Sequence, residues 1–177
     1  ARLVALGFLE RVGLDFYSTF APMASLTSVR TIMSIAVHNG FALWHGDVPQ
    51  AFLRSDLDTE IFMKLPKGVN VVDVDNPNFS TLNGYLLRVW KCLYGLKQCA
   101  QLWNQELDRF FLKLGFKRSD AETCMYSRID PVTGKYVIVL SEVDDLVITG
   151  SDEAYIAHFR ECLIKSYATR KDDGSIE

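Results

Sequence analysis

The sequence predicts a protein of the α+β class, in which an antiparallel β-sheet is covered by helices on one face. Three observations lead to this prediction. Apolar residues alternate in several short segments, they recur with a helical period in longer segments, and turn residues between the short segments indicate hairpins. With 177 residues, of which 49% are hydrophobic and 23% charged, the chain is long enough to bury a substantial core.

The first half of the chain is predicted to contain one helix and several short strands. A strand is expected over residues 1–7 and a loop over residues 8–26. The helix should begin at a cap formed by Thr27 or Ser28 and end at His38, since apolar residues recur along it with a helical period.

Three more strands are expected before the middle of the chain. Residues 41–47, 60–65 and 85–89 have the short apolar runs that are typical of strands. Residues 66–83 are rich in Asn, Asp, Pro and Gly and keep no period, so they are predicted to form a loop.

The second half begins with the clearest helix, over residues 103–114, where Gly115 marks its end. Residues 125–129 and 136–140 flank a turn that contains Pro and Gly, which predicts a hairpin.

A second hairpin should follow directly. Its tip would carry Asp144 and Asp145, and residues 146–149 would form its returning strand. Ser151 is predicted to cap a last helix that ends near Lys165.

The order of elements from residue 41 onward is strand, helix, strand, strand, helix, which is most of a ferredoxin-like split β-α-β fold. The last strand of such a fold would lie beyond Glu177, so we expect a single domain or a fragment of one. This topology places the strand that ends at Asp47 beside the hairpin tip at Asp144 and Asp145.

Composition and charge exclude several classes of protein. No apolar run approaches the roughly 18 residues that span a bilayer, so no membrane partner is expected. The four cysteines lack the C-x-x-C spacing of a zinc site, and reduced thiols in an intracellular protein are predicted. The net charge is −3, yet residues 86–118 hold seven basic residues against two acidic ones. This stretch indicates either a nucleic-acid surface or an ordinary solvated helix face.

Asp47, Asp144 and Asp145 are the candidate metal ligands. Carboxylate oxygens suit Mg²⁺, and two such ions about 4 Å apart can promote the in-line displacement of pyrophosphate by a hydroxyl. Asp is also a common turn residue, so an Asp-Asp pair at a hairpin tip has a purely structural explanation as well.

Three motifs together distinguish these alternatives. They are D-V-P-Q-A-F-L at residues 47–53, L-Y-G-L-K-Q at residues 93–98 and V-D-D-L-V-I-T-G at residues 143–150. In order and spacing the chain resembles the reverse transcriptase of copia-type LTR retrotransposons, and flanking segments such as F-A-P-M-A-S-L-T-S-V-R at residues 20–30 extend the resemblance over nearly its whole length.

The resemblance implies a right-hand polymerase. Fingers-side segments would be about residues 1–40 and 54–90, and the palm would be about residues 41–53 and 91–177. The enzyme would transfer a nucleotidyl group from a deoxynucleoside triphosphate to a primer 3′-hydroxyl on an RNA or DNA template. RNase H, integrase and protease parts of the same polyprotein would be its partners, inside a cytoplasmic virus-like particle.

The resemblance also implies roles for individual residues. The catalytic residues would be Asp47, Asp144 and Asp145. Two Mg²⁺ ions, or Mn²⁺ in their place, would be bound by Asp47, Val48 and Asp144. The incoming nucleotide would contact Gln50, Ala51, Phe52 and Gln98. The nucleic acid would contact Arg88, Lys91 and Lys97.

Two of these residues also have plainer explanations. Phe52 would exclude a 2′-hydroxyl as a steric gate under the sugar, or it is a core residue that follows a strand. Gln98 would contact nucleotide or template, or it is only the first residue of a helix.

The sequence also departs from the family at several positions. Glu142 replaces the usual Tyr before V-D-D, and Cys99, Ala100 and Gln101 replace A-P-R. These departures favour an alternative function, that of an inactive, decayed remnant that only binds nucleic acid. An unrelated interaction domain with a ferredoxin-like topology is a third hypothesis.

Overall fold

The computed structural model describes residues 3–66 and 86–167. In these ranges the chain forms three α-helices: α1 (Leu26–Asn39), α2 (Cys99–Lys113) and α3 (Glu153–Tyr167). The strands of the same ranges are β1 (Leu43–Asp47), β2 (Asp56–Lys64), β3 (Leu86–Lys91), β4 (Lys117–Arg118), β5 (Met125–Ile129), β6 (Tyr136–Glu142) and β7 (Asp145–Gly150). Two short 3₁₀ turns occupy Gly7–Leu9 and Ala51–Arg54.

Two antiparallel sheets organise these elements. The larger sheet has the strand order β1-β7-β6-β5-β4, and β2 pairs with β3 in a separate two-stranded ribbon. The α+β class and the hairpin between β5 and β6 were predicted correctly. Most of the predicted loop over residues 66–83 lies outside the described residues.

The two faces of the larger sheet pack against different helices. Val137 and Val139 of β6 point towards α2 and α3, where they join the main core. Ile138 and Leu140, which alternate with them, point to the opposite face and pack against α1. The expectation of helices on one face, which concerned the elements from residue 41 onward, fits α2 and α3, while α1 covers the opposite face. The β6 sequence Y-V-I-V-L is apolar at consecutive positions, so both faces of this strand have to be buried against other elements.

The helix boundaries differ slightly from the predicted ones. Ser25, rather than Thr27 or Ser28, caps α1, because its side chain accepts the Ser28 N–H. Asp152, rather than Ser151, caps α3, since its Oδ1 accepts the Tyr155 N–H at 2.8 Å. The Ser151 hydroxyl accepts the Tyr136 N–H instead and so ties the end of β7 to the start of β6.

The strand predicted over residues 1–7 is wrong for the described residues 3–7. That segment instead crosses the turn before α2, where the Ala5 N–H donates to the Tyr94 carbonyl at 2.8 Å. At the crossing, a Cβ atom built on Gly7 would lie 1.8 Å from the Gly95 carbonyl oxygen. Gly95 also has a φ of +99°, which favours glycine. The two backbones therefore approach as closely as they do because neither residue has a side chain.

Glu122 connects α1 to the loop before β5. Its Oε2 accepts the Ser28 hydroxyl at 2.7 Å and the Ser25 N–H at 3.1 Å. The Ser28 hydrogen bond is the main cause of a lowered pKa at Glu122, although desolvation opposes it. A carboxyl with a lowered pKa stabilises the fold above its unfolded pKa, and this contribution is lost as the pH falls.

We therefore predict that Glu122→Gln lowers the free energy of unfolding at pH 7 but has a smaller effect at an acidic pH well below the ordinary pKa of a glutamate, because the contribution of the charge is lost as the native carboxyl protonates. Urea unfolding of the native chain and the variant at both pH values measures this difference. An equal difference at the two pH values would show that the Glu122 charge contributes nothing.

Candidate functional site

The ends of β1 and β7 bring the three predicted aspartates to one edge of the larger sheet. Asp47, the last residue of β1, stands directly opposite Asp145, the first residue of β7. The next residue, Val48, donates its N–H to the Asp144 carbonyl at 2.9 Å. The structure thus brings together segments that are almost a hundred residues apart in the chain.

The turn between β6 and β7 is tighter than predicted. Its two central residues are Val143 and Asp144, whereas Asp145 already belongs to β7. Val143 has a φ of +57°, a conformation that Gly or Asn usually adopts in two-residue hairpin turns. A β-branched residue there is strained, and such strain is common at functional sites, where the surrounding structure maintains it.

A histidine that the sequence analysis did not identify contacts the second aspartate. His45 lies on β1, two residues before Asp47, and its Nε2 is 2.8 Å from Asp145 Oδ1. Both side chains are more than half exposed, so this contact contributes little to stability. The period of two along a strand could have indicated it, since residues 45 and 47 point to the same face.

The same edge of the sheet carries a fourth acidic residue. Glu142 of β6 stands opposite Asp145, which in turn stands opposite Asp47. Residues that are directly opposite on neighbouring strands share a face, so three carboxylates follow one another across three strands. Like charges in this arrangement repel each other, and a cation at this edge would relieve the repulsion.

These side chains do not form a complete metal cage. Within residues 3–66 and 86–167, no group of three or more His, Cys, Asp or Glu side chains is arranged to hold a metal ion. The donor chemistry nevertheless fits Mg²⁺, which commonly takes one or two carboxylates and completes its shell with water and substrate phosphates.

The segment after Asp47 contains three of the four residues that the family resemblance assigns to the nucleotide. Gln50 is exposed and has a φ of +55°, and Ala51 is buried in the 3₁₀ turn that follows. Phe52 is half-buried and packs against the Tyr94 ring, with 4.9 Å between the ring centroids. Phe52 also packs against two separate hydrophobic clusters, the main core and the cluster that contains Ile61 and Val89, so its ring is firmly held.

Gln98 is built into the fold. Its side chain is buried, and its Nε2 donates to the Asp15 carbonyl at 3.1 Å. Among the described residues its Oε1 finds no hydrogen-bond partner, which is uncommon for a buried amide. The predicted contact of Gln98 with a nucleotide or template therefore stays a prediction.

The three predicted nucleic-acid contacts already have partners within the chain. Arg88 pairs with Glu60 at 2.7 Å and Lys91 pairs with Asp56 at 2.6 Å, both across the β2–β3 ribbon. The Lys97 Nζ donates to the carbonyl of residue 10 at 3.0 Å. The two ribbon pairs are well exposed, and exposed pairs of this kind are weak enough to exchange for phosphate.

Comparison with known proteins identifies the family. The family model described as reverse transcriptase (RNA-dependent DNA polymerase) matches residues 1–176, and the chain belongs to this family. The predicted resemblance to copia-type retrotransposon enzymes is confirmed. No solved structure matches the chain.

Three plant relatives are similar over nearly the whole chain. It is 34% identical to the retrovirus-related Pol polyproteins from transposons RE2 and RE1 of Arabidopsis thaliana, with 98% and 96% of the chain covered. It is also 34% identical to that from transposon TNT 1-94 of Nicotiana tabacum, with 94% covered. The matches span only 11%, 11% and 12% of these relatives. None of the helices in the described part of the chain is long and apolar enough to cross a membrane.

Proposed function

We propose that this chain forms the nucleotidyl-transfer site of a retrotransposon DNA polymerase that copies RNA or DNA templates. The observation that carries the proposal is the pairing of Asp47 with Asp145, next to Asp144, at the adjoining ends of two antiparallel strands. In a reverse transcriptase family member, this arrangement concentrates negative charge where a primer end, a triphosphate and divalent cations have to meet.

Asp47, the Val48 carbonyl and Asp144 are the residues that would hold two Mg²⁺ ions, or Mn²⁺ as a substitute. When bound, such ions lower the pKa of the attacking hydroxyl and neutralise the charge that develops on the leaving pyrophosphate. Asp145 keeps its carboxylate beside this pair through its contact with His45. The protein contributes mainly by positioning, since phosphoryl-type transfers need little covalent chemistry from side chains.

The segment after Asp47 would receive the deoxynucleoside triphosphate. The N–H groups of Gln50 and Ala51 would lie along its phosphates. Phe52 would be placed under the sugar, where a rigid ring leaves no room for a 2′-hydroxyl. The packing of Phe52 against Tyr94 supports this role, because a steric gate has to resist displacement. Gln98 would contact the same nucleotide or its template partner.

The duplex would be bound through its phosphates. Arg88 and Lys91 on β3, together with Lys97, would exchange their partners within the chain for phosphate oxygens. Binding of this kind weakens steeply with salt and reads the shape of a hybrid duplex rather than its sequence.

The proposed division is a palm of about residues 41–53 and 91–177 and fingers-side segments of about residues 1–40 and 54–90. RNase H, integrase and protease parts of the same polyprotein would act with it inside a virus-like particle. The relatives are named as Pol polyproteins, and this supports the association with other parts of a polyprotein.

Primer extension tests the proposal. A chain lengthened with the thumb segment of its own element should extend a primer on RNA and on DNA templates in the presence of Mg²⁺ or Mn²⁺. Removal of the metal by a chelator should stop extension while salt-sensitive binding of the primer-template continues. Extension that continues after chelation would contradict the two-metal mechanism.

A second candidate function is that of a remnant that binds nucleic acid without catalysis. The observation in its favour is Glu142, which stands opposite Asp145 and adds a carboxylate where the family usually has Tyr. If this substitution silences an intact fold, Glu142→Tyr should restore extension to the lengthened chain. No extension from either form, with binding retained, would favour the remnant.

A further inference from the structure

A buried tryptophan of α2 contacts the hairpin turn that carries Asp144. The Trp103 side chain is 1% exposed, and its indole N–H donates to the Val143 carbonyl oxygen with an Nε1–O distance of 2.6 Å. The contact joins residues that are 40 positions apart. It is not part of the sheet pairing, and it ends on the residue immediately before the proposed metal ligand.

This hydrogen bond fixes the plane of one particular peptide group. The Val143 carbonyl and the Asp144 N–H belong to the same planar unit, so holding the oxygen also orients the bond that leads to the Asp144 Cα. The following carbonyl, that of Asp144, accepts the Val48 N–H at 2.9 Å. Both peptide groups that flank the Asp144 side chain are therefore held, one by α2 and one by the segment after β1.

The turn needs this support because its conformation is strained. Val143 has a φ of +57°, which is unfavourable for a β-branched residue and persists only where the surroundings enforce it. The Val143 side chain packs against the main core, and the Trp103 indole fixes its carbonyl. Without the indole N–H, this carbonyl would lose the donor that holds it in place.

The indole itself is rigidly placed. Its ring meets the Tyr167 ring of α3 edge to face, with 5.4 Å between the centroids, and it belongs to the main core together with Leu107 and Leu146. A buried indole N–H without a partner would be costly, so the ring and the carbonyl hold each other in place.

We propose that Trp103 is a positioning residue of the polymerase site, which sets the orientation of Asp144 by holding the Val143 carbonyl. The role of Asp144 in this inference rests on the proposed function. The effect of Trp103 on the turn depends only on the hydrogen bond to Val143. Trp103 touches neither substrate nor metal in this scheme and acts only through the backbone of the turn.

The unmodified chain offers the first test. In ¹⁵N-labelled protein, the Trp103 indole N–H should exchange with solvent far more slowly than those of Trp44 and Trp90, whose side chains are 37% and 64% exposed. Its resonance is the one that disappears in Trp103→Phe. Exchange of this N–H as fast as that of Trp90 would overturn the hydrogen bond and with it the proposal.

The second test separates positioning from packing. Trp103→Phe keeps an aromatic ring in the core but removes the donor. It should speed hydrogen exchange of the segment around residues 143–145 and weaken Mn²⁺ binding by about 10-fold, as is typical when a group that orients a metal ligand is lost. Phe111→Leu removes a ring from the same core without touching the turn and is the matched control.

The outcomes distinguish a failure of the proposed metal site from a failure of the positioning role of Trp103. If Phe111→Leu weakens Mn²⁺ binding as much as Trp103→Phe does, Trp103 is only a core residue and the proposal fails. If Asp47→Asn and Asp144→Asn leave Mn²⁺ binding unchanged, the proposed metal site fails, yet the exchange rate around residues 143–145 still tests the effect of Trp103. An unchanged exchange rate in Trp103→Phe would overturn the positioning role.

Discussion

Asp144→Asn is expected to abolish primer extension by the lengthened chain and to leave binding of the primer-template nearly unchanged. Asn keeps the shape of the side chain but removes the charge that the proposed metal site would need. We expect a loss of roughly 4 kcal/mol of transition-state stabilisation, which corresponds to a rate reduction on the order of 1,000-fold. Single-turnover extension measures the rate, and fluorescence anisotropy of a labelled primer-template measures binding.

Asp120→Asn is the matched control for this experiment. Asp120 is an exposed residue of the loop between β4 and β5, so its replacement changes the net charge equally without altering the edge that carries Asp47 and Asp145. Extension by this control should equal that of the unmodified chain. If Asp144→Asn extends primers as fast as the control does, the assignment of the metal site is wrong.

Phe111→Ala is expected to produce the largest loss of stability. Phe111 is 0% exposed, and its ring meets the rings of Tyr126, Phe116 and Phe159, with centroid distances of 4.4, 5.6 and 6.0 Å. The substitution removes contacts that join α2 to β5 and α3 and leaves a cavity. Such changes cost about 3–5 kcal/mol, a large part of the roughly 5–15 kcal/mol that stabilises a typical domain.

Urea unfolding followed by circular dichroism measures this loss. Leu112→Ala on the same helix is the control, because the Leu112 side chain is 49% exposed and its truncation should cost less than about 1 kcal/mol. Equal losses for the two variants would mean that Phe111 does not hold the centre of the core.

The sequence predicted the structure best where turn residues and the pattern of apolar residues indicated the same element. The hairpin of β5 and β6 follows from two short strand-like segments that flank a turn, in which Asp130 Oδ1 accepts the N–H groups of Val132 and Thr133. The proximity of Asp47 to Asp145 follows from the order of strands in a split β-α-β fold. Both predictions needed only local patterns and one rule of topology.

Contacts between distant segments could not be predicted in the same way. The strand expected over residues 1–7 has suitable residues, but in the described residues 3–7 a backbone crossing with Gly95 takes its place. The resemblance predicts that Gln98 contacts nucleotide or template, but the motif could not predict that its Nε2 donates to the distant Asp15 carbonyl. The hydrogen bond from Trp103 to Val143 depends on how α2 sits against the turn, which no local pattern specifies.

The crossing of Gly7 and Gly95 has a consequence for how copies of this element decay. Every substitution at either position adds a Cβ atom, and the nearest backbone oxygens stand 1.8 Å and 2.1 Å from where that atom would be. A change at one glycine has no compensating change at the other, because both are already the smallest residue. Among related sequences, replacement of either glycine should therefore mark a chain that no longer forms this fold, even where the aspartates remain.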